Sequence, residues 1–86
     1  MRIQFTKQFI KMTSSLPEDL RTDVYEKVEL FRDLEHHGML KVYELKGNLH
    51  ELWSFSVNYK TRIVFERTSE GVILLAVGDH DIYRSR

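Results

Sequence analysis

The apolar residues of this 86-residue chain change their period once, at Gly38, and that change restricts the folds open to it. Before Gly38 they recur at helical spacing; after it they alternate as strands do. Leu20, Val24, Val28, Phe31 and Leu34 fall on one face of a helix that the pattern carries to about Glu35. Ser15-Leu16-Pro17-Glu18 reads as its capping box, with proline in the first turn. His36-His37-Gly38 reads as its end: two histidines near the negative pole of the dipole, then a glycine suited to a left-handed cap. Upstream, Met1–Phe5 alternates as a short strand. Thr6 is placed to cap a short helix carrying Phe5, Phe9 and Met12 on one face, and Thr13-Ser14-Ser15 is expected to break it.

Downstream of Gly38 the pattern predicts strands over Lys41–Lys46, Trp53–Val57, Arg62–Glu66 and Val72–Val77. They are separated by Gly47-Asn48, Asn58-Tyr59-Lys60 and Ser69-Glu70-Gly71, which have turn composition. Val72–Val77 is apolar at every position and reads as a central strand. The expectation is one α+β domain over residues 1–86: an N-terminal strand, two helices, then an antiparallel meander with the helices packed on one face of the sheet.

Composition removes several functions. There are no cysteines, which excludes disulfides and thiolate metal sites and fits a reducing cytoplasm. No apolar run approaches the roughly 18 residues of a membrane span, so a cytoplasmic chain with no membrane partner is expected. Thirteen basic and thirteen acidic residues balance, so nucleic-acid binding would need a local patch, for which Lys60, Arg62 and the Tyr83–Arg86 tail are the candidates. His36 and His37 are neighbours on a helix, do not share a face, and have no third ligand at metal spacing; no metal or other cofactor is expected.

Four segments in order, Leu45-Lys46-Gly47, Trp53-Ser54-Phe55-Ser56-Val57, Arg62-Ile63-Val64-Phe65 and Val77-Gly78-Asp79-His80-Asp81-Ile82-Tyr83, give the chain a resemblance to the RelE/ParE toxin superfamily of bacterial type II toxin–antitoxin systems. The resemblance covers nearly the whole chain. It implies a toxin silenced by a cognate antitoxin protein, either a ribosome-dependent mRNA endoribonuclease that inhibits translation or a ParE-like inhibitor of DNA gyrase. A relative that has lost activity and only binds antitoxin is the third alternative. In the ribonuclease branch Arg62 matches the arginine that stabilises the phosphate, His80 the basic residue after the Val-Gly step, and Tyr83 the C-terminal tyrosine. Ser54 and Ser56 stand where some RelE-like nucleases carry lysines, which directs the comparison to histidine-using, YafQ-like members.

Those residue types suit the chemistry. Cleavage through a 2′-hydroxyl needs a base, an acid and a cation on the phosphate, and no metal. Arg62 can hold two phosphate oxygens at once, and from the residues alone it could equally pair across the sheet with Glu44 or Glu66. His80 can serve as base or acid, and Tyr83 can stack on a base or donate to phosphate. Lys46, Lys60, His50 and Arg84 are the expected RNA contacts around them.

Overall fold

The computed structural model describes residues 1–45 and 51–79. In chain order they form β1 (Arg2–Phe5), α1 (Lys7–Ser14), α2 (Glu18–Phe31), β2 (Tyr43–Glu44), β3 (Leu52–Ser56), β4 (Arg62–Arg67) and β5 (Gly71–Gly78). A single 3₁₀ turn over Leu34–His36 leads out of α2. The sheet order is β1-β5-β4-β3-β2. Strands β2 to β5 make the expected antiparallel meander, while β1 returns to the far edge and pairs parallel to β5. The fold is therefore α+β with a mixed sheet, and β5 lies between two neighbours as its unbroken apolar run predicts.

Phe9 from α1 and Val24, Val28 and Phe31 from α2 pack on Phe55, Ile63, Phe65, Val72, Leu74 and Val77 from the strands. Phe31 is the centre of this layer, stacked between the Phe55 ring at 4.2 Å and the His37 ring at 4.5 Å, with Phe65 edge-on at 4.9 Å. Val64 pairs with Ala76 but Phe65 pairs with Leu74, so Leu75 is an extra residue in β5. That irregularity keeps Val77 and Leu74 on the helix-covered face despite their odd spacing.

α1 ends at Ser14, inside the Thr13-Ser14-Ser15 segment expected to break it, and the Thr13 and Ser14 hydroxyls close its last turn by donating to the carbonyls of Phe9 and Ile10 at 2.9 Å. Two local expectations are corrected. Ser15 does not cap α2, because its hydroxyl donates back to the Lys11 carbonyl, and α2 begins after Pro17 without a side-chain cap. The helix stops at Phe31 rather than Glu35, and the two histidines explain the early stop. His36 Nδ1–H donates to the Leu30 carbonyl at 3.1 Å and His37 Nε2–H to the Phe31 carbonyl at 2.9 Å. They satisfy acceptors that a continuing helix would have used.

The second face of the sheet carries a smaller apolar cluster. Leu45, Val64 and Ala76 are buried there with Met12, Leu52 and Leu75 against them. Among these apolar groups lies one cation.

Candidate functional site around Arg62

Arg62 opens β4 on the second face, opposite Ser56 of β3 and Gly78 of β5. The residue is only 7% exposed. Its Nε–H donates to Ser54 Oγ at 2.8 Å, Nη1–H to Ser56 Oγ at 2.7 Å, and Nη2–H to the Lys41 carbonyl at 3.2 Å. The guanidinium Cζ lies over the Tyr43 ring, 4.6 Å from its centroid. Neither Glu44 nor Glu66 pairs with it, and among the described residues Arg62 makes no ion pair. A guanidinium has five N–H donors, so two remain after these three bonds. A buried cation held, among the described residues, by uncharged oxygens keeps its net charge available to an anion.

The backbone builds this arrangement deliberately. Tyr43 is opposite Ser54, and Leu45 N–H donates to the Leu52 carbonyl. Continued without interruption, that register would have Ser56 N–H donate to Lys41. It donates instead to Leu40, at 2.8 Å. Lys41 is thus an extra residue with φ of 56°, a conformation that favours glycine. Its carbonyl, released from the ladder, accepts from Arg62.

Of the other residues expected at the site, Lys60 lies in the β3–β4 turn. Asn58 Oδ1 accepts from the backbone N–H groups of Lys60 and Thr61, both at 2.8 Å, fixing that turn. Tyr59 at its tip is 86% exposed, with Lys60 Nζ 5.9 Å from its ring centroid. Lys46, His50, His80, Tyr83 and Arg84 lie outside the described residues. The sequence reading missed Ser54, Ser56, Tyr43 and the Lys41 carbonyl as partners of Arg62. A signal for the serines existed: a β3–β4 hairpin centred on Tyr59 puts Ser56 opposite Arg62, with Ser54 one step beyond on the same face.

Asp33, Glu35 and His36 bring potential metal-ligand atoms within 4.8 Å of one another. Both carboxylates are exposed and His36 Nδ1 is engaged at the helix end, which is the arrangement of a solvated helix terminus.

The fold is similar to those of several solved toxins and toxin–antitoxin complexes, each at low sequence identity. YafQ from E. coli strain BL21(DE3) superposes with a TM-score of 0.78 at 13% identity, covering 95% of this chain and 96% of that one. The YoeB/ParE toxin from Agrobacterium tumefaciens gives 0.73 at 15% identity, with 93% and 99% covered. The RelBE2 toxin–antitoxin complex from Mycobacterium tuberculosis gives 0.71 at 21%, with 91% and 95% covered. No protein-family model and no curated protein matches the sequence. Among the described residues no helix is long and apolar enough to cross a membrane.

Proposed function

We propose that this chain is the toxin of a type II toxin–antitoxin module and acts as a metal-independent, ribosome-dependent mRNA endoribonuclease that stops translation in the cytoplasm. The observation that carries the reading is Arg62: a buried cation, bonded to three neutral oxygens, with no carboxylate against it among the described residues. A protein-binding module has no need of such a group, whereas a transferring phosphodiester does. Its two remaining N–H donors are the ones that would meet the non-bridging oxygens as charge builds on phosphorus. Because Arg62 is 7% exposed, entry of a phosphate requires its cover to shift.

The role of Arg62 is to stabilise the phosphate. His80 and Tyr83 share the base and acid steps: one takes the 2′-hydroxyl proton and the other returns a proton to the departing 5′-oxygen. Gly78, two residues before His80 in sequence, is the register partner of Arg62, which supports this grouping. Lys46, Lys60, His50 and Arg84 contact the RNA around them. The partner is a cognate antitoxin that covers the site until it is degraded, in keeping with the complexes among the structural neighbours.

Expression in bacteria tests this directly. Growth arrest with mRNA cut within codons is expected, and Arg62→Ala should lower the cleavage rate by roughly 100- to 1,000-fold, the usual cost of one transition-state donor. His80→Ala should abolish arrest while the protein remains folded. Arrest with intact mRNA and DNA-damage signalling would replace this reading with gyrase inhibition. Full toxicity of both variants would remove the site.

A further inference from the structure

We propose that Ser54, Ser56 and the displaced backbone at Lys41, with the Tyr43 ring, form an uncharged cradle whose task is to position Arg62 as the receptor for a single RNA phosphate. The inference rests on the reading of Arg62 as the phosphate-binding group and identifies the residues that make it competent. Each cradle element contacts a different part of the guanidinium: Ser54 at Nε, Ser56 at Nη1, Lys41 at Nη2, with Cζ over the Tyr43 ring. Three bonds at different nitrogens and one ring against Cζ fix the position of the cation.

The chemistry of the partners matters as much as their placement. A carboxylate at any of these positions would also fix the arginine, but it would compete with phosphate for the same charge. Hydroxyls and a peptide carbonyl hold the group and leave its charge uncompensated. The extra residue at Lys41 fits this purpose. An uninterrupted β2–β3 ladder would bind that carbonyl to Ser56 N–H, and the shift to Leu40 releases it to Arg62. A lysine in the left-handed region is strained, and such outliers gather at functional sites.

Arg62 Nε–H can be followed by nitrogen–proton NMR of the full chain while inorganic phosphate, or a 2′-O-methyl RNA trinucleotide that cannot be cut, is added. In the native protein the Arg62 signal should be slow to exchange with water and should shift on addition of either probe. Ser54→Ala and Ser56→Ala should each speed that exchange, weaken phosphate binding by roughly 5- to 15-fold and lower Tm by several degrees, because a buried N–H of the guanidinium loses its acceptor. Ser56→Thr, which keeps a hydroxyl, should retain most of the affinity and controls for disturbed packing. Unaltered Arg62 exchange and phosphate affinity in both alanine variants would overturn the cradle, as would a native Arg62 signal that ignores both probes. The nuclease reading fails separately. If phosphate binding follows the serines but the protein leaves mRNA intact in cells, the cradle stands and the ribonuclease does not. If the Ser54→Ala/Ser56→Ala double variant cuts mRNA at the native rate, the ribonuclease stands and the cradle does not.

Discussion

The two faces of the sheet bury their residues on opposite terms. On the helix-covered face the central group is Phe31, stacked among Phe55, Phe65 and His37 and accessible to no solvent. On the second face the central group is Arg62, nearly as buried, held by two serine hydroxyls and a carbonyl. Burial of Phe31 is itself the gain, through apolar area removed from water and close ring contacts. Burial of Arg62 is a cost that three hydrogen bonds and the Tyr43 ring under its Cζ offset in part. The same sheet thus carries one layer that specifies the fold and another that spends stability on a charge. That difference is why the function is sought on the second face.

The comparison breaks most visibly at Phe31. Phe31→Ala should lower the unfolding free energy by about 3–5 kcal/mol, read from urea denaturation, because it removes a ring and leaves a cavity between Phe55 and His37. A loss below about 1 kcal/mol would mean that the helix layer is not the part that holds the fold. A smaller effect is expected at Thr6, where that layer is tied to the central strand. Its hydroxyl accepts from Phe9 N–H at 3.0 Å and donates to the Leu75 carbonyl at 3.3 Å. It caps α1 and satisfies the extra residue of β5 together. Thr6→Ala should cost about 1–2 kcal/mol in the same measurement, the upper part of the range for a helix cap.

How legible each face was in the sequence follows the same division. The covered face was readable because it depends on local period: Trp53 and Phe55 alternate with serines, and Val24, Val28 and Phe31 follow the helix. The boundaries failed where a side chain chose a distant backbone partner over a local one. Ser15 turned back to Lys11, and His36 and His37 folded onto Leu30 and Phe31 to end α2 early. The parallel pairing of β1 with β5 joins the two ends of the chain, and no local pattern encodes that. On the second face Arg62 was visible as a residue type at a strand position. Its partners were not, since they come from three segments brought together by register and by one irregular residue. Ser54 and Ser56 were read as missing lysines, when their hydroxyls are what the arginine binds.

If the second face does spend stability on charge, removing the charge should cost little. Arg62→Met keeps much of the side-chain volume and discards three hydrogen bonds. The unfolding free energy should nevertheless stay within about 1 kcal/mol of native, because a buried cation with no ion pair among the described residues is removed with them. Growth arrest should be lost in the same variant. Stability and toxicity falling together by large amounts would make Arg62 a structural residue like Phe31 and erase the distinction between the faces.

The finest test is Lys41, where the cost of the second face is placed in the backbone rather than in a charge. With φ of 56°, a lysine there is strained in a way that glycine is not. Glycine also has more freedom to lose on folding, which cancels part of the relief. Lys41→Gly should therefore raise the unfolding free energy by only about 0.5 kcal/mol, while the carbonyl that receives Arg62 Nη2–H stays in place and growth arrest is retained. Lys41→Val should do the reverse, since a β-branched side chain resists positive φ more strongly than lysine does. It should pull the backbone toward the uninterrupted ladder, returning the carbonyl to Ser56 N–H and withdrawing it from Arg62. A valine variant as stable and as toxic as the glycine variant would show that the irregular residue is an accident of the β2–β3 connection and has no part in holding the cation.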